Sequence, residues 1–114
     1  MVEAAKRRAT YAEYVALEES SETKHEYLGG SILAMAGGSI EHGRLVSRLT
    51  ALLSAVLEGR PCIVLPADVR VRIRPADRAT YPDVYVVCGE VERDPDDEHA
   101  IVNPIVIVEV LSDS

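Results

Sequence analysis

The first half of the chain has the pattern of two helices with a hairpin between them. Thr10 and Glu13 have the spacing of a capping box, which predicts a short helix starting at that point. Two short apolar runs flank Gly29-Gly30, a pair that favours a tight hairpin turn because glycine tolerates positive φ. A second helix is predicted over residues 40–58, where leucine and valine recur every three or four residues and form one apolar stripe.

The second half of the chain has the shorter period of strands. Residues 62–65 predict a short apolar strand, and residues 68–74 alternate between apolar residues and arginine, as in a half-buried strand near a sheet edge. Residues 81–88 and 104–111 are apolar and rich in β-branched side chains, which is typical of central strands covered on both faces. The acidic residues 89–103 are expected to form a solvated connection between these two strands.

This order of elements indicates an α/β or α+β fold in three layers. The 114 residues are enough for a single domain, 1–114, and a 27% share of charged residues is typical of a globular chain. No apolar run reaches the roughly 18 to 20 residues that span a membrane, and the first residues do not have the pattern of a secretory signal. We therefore expect a cytoplasmic protein that does not enter a membrane.

Charge and cysteine content narrow the picture further. The net charge of −7 argues against a surface that coats nucleic acid non-specifically, although it leaves room for a local basic groove. Cys62 and Cys88 match no zinc-binding spacing and both lie in apolar runs. They are expected to be free, buried thiols.

Two carboxylates stand in segments that are otherwise apolar. Asp83 opens one predicted strand, and Glu109 lies inside another. Burying an unpaired carboxylate is costly, and two carboxylates on neighbouring strands would repel each other unless a cation lay between them. The pair therefore predicts a divalent-metal site, since Mg²⁺ prefers such oxygen ligands. The alternative is a Pro-Asp turn and a glutamate that faces solvent from an edge strand.

Six short motifs follow one another along the chain: YAEY at 11–14, HEYLGGSI at 25–32, EHG at 41–43, DVRV at 68–71, YPDV at 81–84 and VEVLS at 108–112. In this order they resemble the Uma-two family of restriction-endonuclease-like proteins, within the PD-(D/E)XK nuclease superfamily. The resemblance implies a three-layer sandwich in which helices flank a central mixed sheet. It also implies a metal-dependent endonuclease that hydrolyses DNA phosphodiester bonds with Mg²⁺ or Mn²⁺.

The resemblance also assigns roles to individual residues. Asp83 and Glu109 match the acids of the two halves of the PD-(D/E)XK motif and would bind the metal ion. Glu26 matches an early glutamate that would complete the catalytic acidic cluster. His42 matches a family histidine that would line the site, although a surface position in the first turn of the second helix is the alternative.

The predicted contacts to DNA are the arginines of the alternating strand, Arg70, Arg72 and Arg74, which share one face. The alternative is that these arginines form the solvated side of an edge strand.

One departure from the family pattern concerns the lysine of the (D/E)XK motif. Leu111 stands at its position, and the resemblance places the basic residue in a helix beyond Ser114. We therefore expect a truncated domain without its C-terminal part, and a homodimer that covers the apolar face left open. The alternatives to an active nuclease are a catalytically dead module for protein interaction or oligomerisation, and a remnant without function.

Overall fold

The structure is a computed structural model that describes residues 8–111. Within this range the chain forms two α-helices, a short 3-10 helix at Arg74–Ala76 and nine strands. The helices are α1 (Tyr11–Ser20) and α2 (Ile40–Val56), and the strands are β1 (His25–Leu28), β2 (Ser31–Ala34), β3 (Cys62–Pro66), β4 (Arg70–Ile73), β5 (Arg78–Thr80), β6 (Val84–Cys88), β7 (Arg93–Asp94), β8 (Asp97–Ile101) and β9 (Val106–Val108). No helix in the described range is both long and apolar enough to cross a membrane.

The local predictions for the first half of the chain are confirmed. The Thr10 hydroxyl accepts a hydrogen bond from the backbone N–H of Glu13, and the Glu13 carboxylate accepts one from the N–H of Thr10. Gly29 and Gly30 both have positive φ in the turn that joins β1 to β2. Helix α2 begins after Ser39, whose hydroxyl caps its first turn.

The strands form two sheets. The larger has the order β2-β1-β5-β4-β8-β7 and is mixed, because β4 and β8 are parallel while its other pairs are antiparallel. The smaller sheet, β3-β6-β9, is antiparallel throughout. Helix α1 contacts β1, and α2 contacts β3 and β6. The predicted α+β class with a mixed sheet and flanking helices is confirmed.

A core between the two sheets holds β6 in place. Tyr85 and Val87 of β6 pack against Val71 of β4 and Ile101 of β8, and all four side chains are buried. The Tyr85 hydroxyl donates to the backbone carbonyl of Val69, which satisfies the polar end of this ring. Because β6 is anchored in this way, the position of Asp83, the residue just before it, is fixed as well.

Three predictions for the second half are wrong. Strand β4 lies between β5 and β8, so it is not near a sheet edge. Residues 89–103 are more than a solvated connection, because they contain β7 and β8 and bury Asp94 and Asp97. Strand β9 is itself at an edge, and Val106 and Ile107 remain exposed. The parallel β4–β8 pair was not predicted because β8 begins with a charged residue, Asp97. Its buried partner, Arg70, is 27 residues away in the sequence.

The two cysteines are also paired, which contradicts the prediction of free thiols. Cys62 lies directly opposite Cys88 in the antiparallel β3–β6 register, and a disulfide bond joins them. The cause is the register, which brings together two thiols 26 residues apart in sequence.

The apolar stripe of α2 is only partly covered. No side chain of this helix is fully buried, and Leu45, Leu52 and Val56 are more than half exposed along one side of it. Since β9 is also exposed, apolar surface lies open on the smaller sheet and on its helix.

Candidate metal and phosphate site

Asp83 and Glu109 lie at the same end of two neighbouring strands. Asp83 immediately precedes β6 and Glu109 immediately follows β9, and these strands pair with Val84 opposite Val108. The pairing on which the predicted acid pair depended is therefore present. The Asp83 carboxylate also accepts a hydrogen bond of 2.7 Å from the backbone N–H of Val110, which links it to the segment that carries Glu109.

His42 contacts the same carboxylate oxygen of Asp83. Its Nε2 lies 3.1 Å from Oδ2 of Asp83, within hydrogen-bonding distance. The imidazole is pressed against Gly38, where an added Cβ would lie only 2.6 Å from Nδ1 of His42. Glycine at this position therefore leaves the space that the imidazole ring occupies.

Electrostatics connect Glu109 to these residues. Burial raises the pKa of the Glu109 carboxyl, and the negative charges of Asp83 and Glu26 raise it further, while Arg78 and His42 act in the opposite direction. Asp83 and Glu26 thus both disfavour the ionised form of Glu109 in the folded chain. A cation near Glu109 would relieve the repulsion that disfavours its ionised form.

Glu26 is held on β1 by residues of the neighbouring strand β5. The Thr80 hydroxyl donates a hydrogen bond of 2.8 Å to its carboxylate, and a guanidinium nitrogen of Arg78 lies 3.5 Å from the same oxygen. The Glu26 carboxylate therefore has both a hydrogen-bond donor and a cation close to it.

The carboxylate oxygens of Asp83 and Glu109 are of the type that a hard divalent cation prefers. Within residues 8–111 no group of three or more histidine, cysteine, aspartate and glutamate side chains is arranged to hold a metal ion. Mg²⁺ in enzymes is commonly held by one or two carboxylates, with water completing its coordination. Asp83 and Glu109 are two such carboxylates, and they lie at the same end of the paired strands β6 and β9.

A cleft of about 390 Å³ opens beside Asp83. Tyr81 and His42 line this cleft, and so does Lys24, a cation that was not predicted from the sequence. Lys24 immediately precedes the HEYLGGSI motif, and it is one of only two lysines in the chain, the other being Lys6. Apart from this place directly before the motif, the sequence has no pattern that distinguishes Lys24.

The arginines predicted to contact DNA occupy a different environment from the one expected. Arg70 is buried and forms a two-pronged ion pair with Asp97, at 2.8 and 2.9 Å, while its third hydrogen bond goes to the Tyr81 hydroxyl. Arg72 is buried as well, and its guanidinium lies 4.0 Å from the centre of the Tyr11 ring. The expectation that their side chains face solvent is wrong for both arginines.

Arg74 is the most exposed of these three arginines, and it too is paired. Its guanidinium donates to Asp94 at 2.6 Å and to Asp96 at 3.0 Å. The carboxylates that neutralise Arg70 and Arg74 come from the β7–β8 segment, which was expected to be a solvated loop. Asp97 of this segment is the reason that Arg70 can lie on a covered face of the sheet, whereas Arg72 donates to Asp77.

Comparison with known proteins agrees with the fold and the motifs. The model of the Uma2 family, described as "Putative restriction endonuclease", matches residues 11–114. The chain is similar to protein sll1609 of Synechocystis sp., with 36% identity over 114 residues, and to slr1290 of the same organism, with 39% identity over 102 residues. These matches cover 100% and 90% of the chain but only 64% and 53% of the two relatives, so the chain spans roughly half to two-thirds of their length.

A solved structure has the same fold. The crystal structure of a protein from Anabaena variabilis, titled a putative nuclease belonging to DUF820, superposes with a TM-score of 0.63 at 23% identity. The match covers 81% of this chain and 52% of that one. At this level of identity the likeness establishes the fold alone.

Proposed function

Because the chain belongs to the Uma2 family of restriction-endonuclease-like proteins, we propose that it carries the metal-binding part of a nuclease that hydrolyses DNA phosphodiester bonds. The observation that carries the proposal is the position of Asp83 and Glu109 at one end of paired strands, with the pKa of Glu109 raised by burial and by its acidic neighbours. A carboxyl group whose pKa is perturbed by burial and by neighbouring charges is a candidate member of a functional site.

In this proposal Asp83 and Glu109 hold Mg²⁺ or Mn²⁺. The bound ion would lower the pKa of a water molecule and orient it towards the scissile phosphate. His42 is a positioning residue, because its hydrogen bond to Asp83 and its fit against Gly38 restrict the orientation of that carboxylate. Glu26 contributes negative charge that favours the cation, moderated by its contacts with Thr80 and Arg78.

The experiment combines metal binding with cleavage of a supercoiled plasmid. Glu109→Gln keeps the size of the side chain and removes its charge, and Asp83→Ala removes the other ligand. Glu98→Gln is the matched control, because Glu98 is an exposed glutamate on β8 whose carboxylate lies 3.7 Å from the imidazole of His99.

We expect Mn²⁺ binding by calorimetry and plasmid nicking in the parent protein and in Glu98→Gln, and loss of both in the two site variants. Parent protein that neither binds Mn²⁺ nor nicks DNA would contradict the proposal. Nicking by Glu109→Gln at the parent rate would contradict the assignment of that ligand.

A second candidate function is oligomerisation without catalysis. Its support is the open apolar surface along Leu45, Leu52 and Val56 of α2, which would favour a homodimer in which a second copy covers that face. Sedimentation equilibrium tests it with Leu52→Glu, a substitution on the exposed side of α2. A dimeric parent and a monomeric variant would support this function, whereas a monomeric parent would contradict it.

A further inference from the structure

Lys24 places a positive charge inside the cleft beside Asp83. It lies just before β1, and its Nζ donates a hydrogen bond of 2.9 Å to the backbone carbonyl of Ala67. The same atom lies 5.5 Å from the centre of the Tyr81 ring. Ala67 and Tyr81 line the cleft together with Asp83, so the ammonium group is held beside the space that adjoins Asp83.

The charge of Lys24 is weakly compensated. Among residues 8–111, its ion-pair partner is Asp68, whose carboxylate oxygen lies 3.8 Å from Nζ and whose side chain is 87% exposed. A pair this long at an exposed carboxylate is strongly screened by solvent. Arg70, Arg72 and Arg74, by contrast, each donate to a carboxylate at 3.0 Å or less.

Lys24 also has hydrogen-bonding capacity to spare. An ammonium group has three N–H donors, and one of them is used on the carbonyl of Ala67. The side chain is 42% exposed, so a ligand that enters the cleft can reach the group. Charge-assisted hydrogen bonds from such a group to phosphate oxygens are stronger than neutral ones.

The remaining walls of the cleft leave room for a ligand beside this lysine. Gly37 contributes no side chain and has open space beside it, whereas the space beside Gly38 is taken by the imidazole of His42, which contacts Asp83. Glu22 also lines the cleft, but it is exposed, so its opposing charge is screened by water. A phosphate group would find a cation, a histidine and small residues in this space.

We propose that Lys24 binds a phosphate of a nucleic-acid backbone in this cleft, next to Asp83. The choice of a nucleic-acid phosphate as the ligand rests on the proposed nuclease function. The contact itself is one that the buried arginines of β4 do not supply. Lys24 thereby takes the role that the sequence suggested for Arg70, Arg72 and Arg74.

The test is the binding of a short fluorescein-labelled DNA duplex, measured by anisotropy in Ca²⁺ over a range of salt concentrations. Lys24→Met keeps the aliphatic stem and removes the charge, Lys24→Arg keeps the charge, and Arg60→Met removes one positive charge from an exposed position outside the residues that line the cleft. Loss of one phosphate contact lowers the salt slope of the binding constant by about 0.9.

We expect Lys24→Met to bind the duplex about tenfold more weakly with a salt slope reduced by about one, while Lys24→Arg and Arg60→Met stay close to the parent. Equal affinity and slope in Lys24→Met and Arg60→Met would overturn the inference, as would a parent protein that does not bind the duplex. Circular dichroism and thermal unfolding identify a folding defect, and Lys24→Arg then provides the decisive comparison.

Two further measurements separate this inference from the proposed function. Lys24→Met should bind Mn²⁺ as the parent does, because Lys24 is not a proposed ligand. If the parent fails to bind Mn²⁺ but its duplex binding depends on Lys24, the nuclease proposal fails and the phosphate contact stands. If the parent nicks plasmid and Lys24→Met nicks it equally well, the phosphate contact fails and the nuclease proposal stands.

Discussion

Replacing Arg70 with methionine is expected to lower the free energy of unfolding by about 3 kcal/mol or more, within the range of about 3 to 5 kcal/mol measured when one partner of a buried ion pair is removed. The Arg70 and Asp97 side chains are only 6% and 1% exposed, and Arg70 donates three hydrogen bonds, two to Asp97 and one to Tyr81. Methionine fills the space of the stem but leaves the Asp97 charge buried. The remaining donors to Asp97, the Tyr11 hydroxyl and the backbone N–H of His99, favour the lower end of that range.

Urea unfolding followed by far-ultraviolet circular dichroism measures this change through the midpoint and the slope. A loss of this size is a large part of the stability of a small domain. Arg70→Lys, which keeps the charge, is therefore measured as well, as a less destabilised variant. Arg70→Met combined with Asp97→Leu should be less destabilised than the sum of the single changes, because the double variant leaves no unpaired charge.

The opposite result would refute the reasoning. If the free energy of unfolding of Arg70→Met were within about 0.5 kcal/mol of the parent value, as is usual for a surface substitution, the buried ion pair would not be stabilising the fold. If that variant also lost affinity for DNA, Arg70 would be the nucleic-acid contact predicted from the sequence. The same substitution therefore distinguishes the structural role from the binding role.

Two other predictions concern the disulfide and acid stability. Cys62 and Cys88 are 26 residues apart, so breaking their disulfide should lower the free energy of unfolding by about 3 to 4 kcal/mol in the chain-entropy description. An unfolding midpoint that reductant leaves unchanged would contradict this prediction. Burial tends to raise the pKa of Asp97, but hydrogen bonds from Arg70 and Tyr11 outweigh this effect and lower the pKa. Ionised Asp97 therefore stabilises the fold above its unfolded pKa of about 3.9, and this stability is lost as the pH falls through the folded pKa. Asp97→Asn should flatten that acid limb in urea titrations, and an unchanged limb would exclude Asp97 as its source.

Much of the candidate site could be predicted from single residues. Asp83 and Glu109 stand out because a carboxylate in an apolar strand needs a partner, and the pairing of β6 with β9 brings their strand ends together. Lys24 could not be found in this way. One lysine in a polar stretch has no pattern, and only the approach of the loop that contains Ala67 brings it into the cleft with Asp83.

The sequence by itself determined the features that depend on a few neighbouring residues, namely the capping box at Thr10, the hairpin turn at Gly29-Gly30 and the long helix α2. Only the tertiary structure decided which charges are buried. Arg70 and Asp97 are 27 residues apart and meet because β8 belongs to the same sheet as β4, and an alternating pattern cannot indicate which carboxylate will face a given arginine. The period of a strand specifies its two faces, whereas the environment of each face depends on chain segments distant in sequence.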